Sequence, residues 1–159
     1  MKSSKGLFLT IGICLVAFTG LRANSTTNVI KDDIFTAIRS IDYVSINILL
    51  SDGVNIDTVD QDGNTPLMVA AQVGNPRIVD IILNHKPDVN LQNKNGDTAL
   101  IIAAKTGQLE IVKKLVSHEA YLSTQNNDGN TAVTLASKFG HNEIVSYLKK
   151  TRTQRAYTK

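Results

Sequence analysis

The chain has 159 residues, 42% apolar but only 5% aromatic and without tryptophan, which leaves room for one ordinary domain with a core of Leu, Ile, Val and Ala. Its single cysteine, Cys14, excludes an intrachain disulfide, and its formal charge of +3 does not survive inspection. Lys2, Lys5 and Arg22 precede a candidate cleavage site and five cations crowd into the last 11 residues, so residues 24–148 carry 9 basic against 14 acidic side chains, a balance with no counterion-release drive towards nucleic acid.

Residues 1–23 read as a secretory signal peptide. Lys2 and Lys5 begin it, an apolar run spans Leu7 to Leu21, and Leu21-Arg22-Ala23 ends on a small residue. The run is shorter than the ~20 residues that a membrane-crossing helix needs, so no stable membrane insertion is expected after cleavage. Ile13 stands before Cys14 where a lipoprotein signal wants Gly or Ala. The expected mature protein is exported, periplasmic or secreted, and starts with a polar leader over 24–30.

From residue 31 the chain repeats. Thr65-Pro66-Leu67 recurs as Thr98-Ala99-Leu100 and Thr131-Ala132-Val133, each step being 33 residues. Asp62-Gly63 recurs as Asn95-Gly96 and Asp128-Gly129, and Gly74 as Gly107 and Gly140. A fixed period of this length signals stacked supersecondary units that share one core. The expected fold is an all-α solenoid over 31–150, with about four helix-turn-helix units at 31–61, 62–94, 95–127 and 128–150. Short β-hairpin turns join them.

The first unit is the most divergent. Ile34, Ala37, Ile38 and Ile41 give helical spacing, then Val44, Ile46, Ile48, Leu49 and Leu50 give a second helix. In the second unit Thr65 is an N-cap with Pro66 at the first helical position, and Asn75-Pro76 repeats that logic. The third and fourth units repeat the pattern with Ala103, Ala104 and Leu115, then Leu135, Ala136 and Leu148. A basic, flexible tail is expected over 151–159.

These residues resemble the ankyrin repeat: a β-turn, a short helix, a turn and a longer helix. The second unit carries GNTPLMVAA, GNPRIVDIIL and PDVN; the third GDTALIIAA, GQLEIVKKL and a degraded AYLS; the fourth GNTAVTLAS and GHNEIV. Three departures stand out. Met68, Ile101 and Thr134 replace the family's T-P-L-H histidine, Pro is kept only at Pro66, and the glycine before the inter-unit loop survives only at Gly53. Lys86 and Glu119 stand at that glycine position in later units, where a left-handed backbone costs a non-glycine residue about 1 kcal/mol. Modest stability follows as an expectation.

No catalytic constellation is present, so no enzyme activity is expected, and no cofactor or metal. His85, His118 and His141 have no partner at a recognisable spacing for nucleophilic catalysis. Asp57/Asn90 and Asp60/Asn93/Asn126 could suggest calcium, but Asn and Asp brace turns by hydrogen bonding their own backbone. What remains is surface. The resemblance implies a monomeric binding module that holds a protein partner by its hairpin tips and concave face. The tip residues are Gln61, Asp62, Asn64, Gln92, Lys94, Asn95, Asp97, Gln125, Asn127, Asp128 and Asn130. Beside them on the first helices stand Met68, Gln72, Ile101, Lys105, Thr134 and Lys138, with Phe139 near the end. The resemblance further implies small exported bacterial proteins, among them periplasmic accessories of oxidative-stress enzymes such as catalase and binders directed at host proteins or toxins.

Overall fold

A computed structural model describes residues 34–157. The expected signal segment, the leader and residues 158–159 lie outside the described residues. Eight helices follow one another among those described: α1 over residues 34–39, α2 (Tyr43–Ser51), α3 (Pro66–Val73), α4 (Pro76–Asn84), α5 (Ala99–Lys105), α6 (Leu109–Ser117), α7 (Ala132–Lys138) and α8 (Asn142–Tyr157). They form four helix pairs in an all-α repeat solenoid. No strand forms among the described residues, so the expected hairpins reduce to tight turns. Each closes with two backbone bonds: Asp60 N–H to Asn64 O with Gly63 N–H to Asp60 O, and the equivalents from Asn93 to Asp97 O with Gly96 to Asn93 O, and from Asn126 to Asn130 O with Gly129 to Asn126 O.

Local chemistry sets where each inner helix begins. Thr65, Thr98 and Thr131 cap α3, α5 and α7, each hydroxyl accepting from the backbone N–H three residues on at 3.3 Å. Two of the residues in place of the resembled histidine also engage the cap: the Met68 sulfur and the Thr134 hydroxyl each accept the N–H of the capping threonine. Asn75 caps α4 through Arg77 and Ile78, with Pro76 at the first helical position. The inner helices stack α3 on α5 and α5 on α7, while α4 packs on α6 and α6 on α8. The shared core runs through all four pairs, from Ile34, Phe35 and Ile38 through Leu67, Ile78 and Ile82 to Ile111, Leu115, Ile144 and Leu148.

Both end faces are adapted to water. In the first pair Thr36 and Ser45 stand where later pairs have buried or half-buried Val69 and Ile102, and Ile78, Ile111 and Ile144. In the last pair Thr134 and Ser137 replace Met68 and Ile101, and Ala71 and Ala104. Among the described residues the first and last pairs have a neighbour on one side only, and polar side chains at those stacking positions remove the desolvation drive.

Two expectations are corrected, for Ile41 and for the tail, and the second helix forms as expected. Ile41 does not extend the first helix: it sits at φ 58° in the left-handed corner that Gly74, Gly107 and Gly140 occupy in later units. Val44 and Ile48 lie on α2 but point outward, 68% and 53% exposed, leaving Ile46 and Leu50 as its buried side. The tail is not irregular from residue 151 on, because α8 runs through to Tyr157. In earlier units the chain turns inward after the left-handed corner by placing Val54, Pro87 or Ala120, then Ile56, Val89 or Leu122, against the core. Thr153 and Arg155 hold those positions in the last unit and offer no such burial, so the helix continues. Arg155 then reaches back, donating to the carbonyls of Val116 and Ala120 at 2.7 and 3.0 Å.

The left-handed position expected of Lys86 and Glu119 is observed, at φ 54° and 64°. No helix among the described residues is long and apolar enough to cross a membrane.

Candidate functional site

The tips are held by a repeated brace. The Asp60 Oδ1 accepts the N–H groups of Asp62 and Asn64 at 3.0 and 2.9 Å. Asn93 does the same for Asn95 and Asp97, and Asn126 for Asp128 and Asn130. These oxygens satisfy backbone donors, the turn-bracing role expected from the sequence. Asp57 and Asn90 act differently: they accept the N–H of Asp88 and Tyr121 in the following unit's loop.

A second set of bonds ties each tip to the next. Asn93 Nδ2 donates to Asn64 Oδ1 and Asn126 Nδ2 to Asp97 Oδ1, both at 2.8 Å. The backbone N–H of Lys94 reaches Asp62 O and that of Asn127 reaches Asn95 O. Gln92 Nε2 donates to Gly96 O and Gln125 O, and Asn127 Nδ2 to Lys94 O. Asn64, Gln92, Asp97 and Asn127 therefore have packing roles that the sequence did not reveal.

Partial burial pushes the Asp60 carboxyl up, but the backbone and side chain of Asn64, the Asp62 N–H and Arg39 at 3.0 Å together hold it below its ordinary value. A lowered folded pKa adds stability above the unfolded value of about 3.9, and that stability is lost as pH falls through the folded pKa. Asn93 and Asn126 brace their turns without charge, so Asp60→Asn retains both amide contacts and removes the titration. Urea unfolding should then give a stability within about 1 kcal/mol of wild type at neutral pH and a smaller loss between about pH 5 and pH 3. Equal acid losses in the two proteins would clear Asp60 of any part.

The eighteen expected surface residues divide sharply. Met68 and Ile101 are not on the surface at all; each is 1% exposed, packed between stacked inner helices. The concave face cannot use them. Gln61, Asp62, Gln72, Gln92, Lys94, Gln125 and Thr134 are exposed along the row, and Asn64 is half-buried. The structure brings the other eight together in one cleft of about 240 Å³: Asn95, Asp97, Lys105, Asn127, Asp128, Asn130, Lys138 and Phe139. Two further residues line it, Asn126 and Leu135. Their signal was present in the 33-residue register, which sets Asn126 directly behind a tip and Leu135 below it on α7, but one read as a brace and the other as core. Phe139 is 49% exposed at the C-cap of α7.

The histidines are placed as helix-end residues. His85 and His118 are exposed C-caps of α4 and α6. His141 is half-buried and its Nε2–H donates to the Lys105 carbonyl at 3.1 Å, joining the fourth unit to the third.

A family model described as Ankyrin repeats (3 copies) matches residues 34–126 and 71–156. No curated protein matches the chain. The two matched stretches together run the length of the stacked helix pairs and take in most of the sequence, and the chain therefore belongs to the ankyrin repeat family.

Proposed function

We propose that the protein is an exported, non-enzymatic binder that grips a protein partner through its tips and concave face. Ankyrin repeats are generally protein-interaction modules and typically non-enzymatic, which supports this reading. The single observation that supports the specific face is the cleft, where eight of the expected residues converge between the third and fourth units. Export rests on the sequence of residues 1–23, and N-terminal sequencing of the purified protein tests it: a start at Asn24 supports cleavage, whereas an intact Met1 or Lys2 refutes it.

Residues whose side chains stabilise the tips make poor probes of binding, since removing Gln92 or Asp97 disturbs bonds between units. Asp62, Asp128 and Phe139 are exposed and bear no such bond. Their joint replacement by alanine should weaken capture of partners from the native compartment by more than tenfold, roughly the cost of losing one anchor residue. Far-UV circular dichroism should be unchanged. Undiminished capture would place the interface elsewhere.

A further inference from the structure

The C-terminal half of the face differs chemically from the rest. At the ends of the inner helices, Arg39, Gln72, Lys105 and Lys138 recur at 33-residue steps. Arg39 is neutralised by Asp60 and Gln72 carries no charge. Lys105 and Lys138 are exposed, and neither belongs to the ion pairs among the described residues, which join Arg39 to Asp60 and Lys114 to Asp80 and Glu110. Helices α5 and α7 pack directly, so the two stems start about 8–10 Å apart and both line the same cleft. Leu135 forms part of its floor and Phe139 its edge, while Asp97, Asp128 and the amides of Asn95, Asn127 and Asn130 complete the lining.

We propose that this cleft takes an extended segment of the partner protein, with one carboxylate held between Lys105 and Lys138 and the adjoining apolar side chain against Phe139 and Leu135. The inference rests on the protein-binding reading above and adds the chemistry of the occupant. A purely apolar occupant would cover two ammonium groups and leave them unpaired, which is costly. A polyanion is disfavoured by Asp97 and Asp128 in the same lining and by the acidic excess of residues 24–148. One acidic residue among neutral or basic neighbours satisfies both constraints, since the partner's N–H groups or cations can meet the tip carboxylates. The volume, about 240 Å³, falls below the ~300–1,000 Å³ of small-molecule sites, which suits one or two side chains of a larger molecule.

The probe is a displayed library of random peptides, panned on the full exported protein, with the best sequence then synthesised and titrated. Enriched peptides should carry one Asp or Glu next to Phe, Leu, Ile or Met, and binding should weaken as salt rises. The double reversal Lys105→Glu with Lys138→Glu should weaken the peptide by at least about tenfold and shift selection towards basic residues. Both lysines are exposed, so an unchanged melting curve confirms that the variant folds. Winners lacking an acid, or an enrichment that does not rise above background, overturn the proposal. Binding that ignores the reversal but is lost when Asp62, Asp128 and Phe139 become alanine overturns it while leaving the face intact. Binding indifferent to both variants overturns the face as well.

Discussion

Gly96→Ala should destabilise the protein by about 3–4 kcal/mol, whereas Gly129→Ala should cost only about 1 kcal/mol, although both glycines have φ of 75°. The left-handed strain is common to both. The surroundings are not. A Cβ on Gly96 would lie 2.6 Å from the Asn127 side-chain oxygen, 2.7 Å from its backbone nitrogen and 3.0 Å from the Asn126 Cα, and two of these three atoms are backbone. Nothing stands within 4 Å of the same atom on Gly129. To admit the methyl group the third and fourth tips must part, loosening the Asn127 N–H bond to Asn95 O and the side-chain bonds from Asn126 and Gln92, each worth about 0.5–1.5 kcal/mol. Equilibrium urea unfolding of both variants measures the difference. Equal losses would show that the close contact between tips does not exist in solution. Because Gly96 lies behind the cleft, its variant should also lose partner binding out of proportion to its effect on the helices.

The contrast between those glycines marks what the sequence could and could not reveal. Turn and cap residues recur in register, so the 33-residue step, the threonine caps and the left-handed corners at Lys86 and Glu119 are legible in the sequence itself. Contacts between units were harder, because the partner of a side chain lies about 30 residues away and depends on how the units stack. Met68 and Ile101 show this. Their helical phase suggested the open concave side, yet stacking buries them. The clue lay in their column, which is apolar in all three units with a following neighbour, at Phe35, Met68 and Ile101, and becomes Thr134 in the last. Ile41 misled in the opposite way: local periodicity favoured helix, whereas its place in the glycine column, shared with Gly74, Gly107 and Gly140, carried the stronger constraint. The helix beyond residue 150 was missed because polar, basic composition describes a frayed end and an extended surface helix equally well. The bonds from Arg155 to Val116 and Ala120 favour the helix.

Stability should rise when the same corners are relieved. Among the described residues three non-glycine side chains hold positive φ: Ile41 at 58°, Lys86 at 54° and Glu119 at 64°. Each occupies a column in which other units use glycine, Gly74, Gly107 and Gly140 for Ile41, and Gly53 for Lys86 and Glu119. All three are exposed, so their removal opens no cavity. The left-handed conformation costs an L-residue about 1–2 kcal/mol, and glycine returns part of that through its greater freedom in the unfolded chain. A net gain of about 0.5–1 kcal/mol per site is expected at Lys86 and Glu119. Ile41→Gly should give the most, since a β-branched residue is least suited to that region. The three sites lie in separate units and share no partner, so their effects should add. The triple variant Ile41→Gly, Lys86→Gly, Glu119→Gly should gain about 2–3 kcal/mol, which at about 4 °C per kcal/mol raises the melting temperature by roughly 8–12 °C. None of the three lines the cleft, so the affinity for a selected peptide should stay unchanged. A triple variant that melts no higher than the wild type would mean that the strain at these corners is relaxed in solution, and the modest stability expected of this array would then need a different cause.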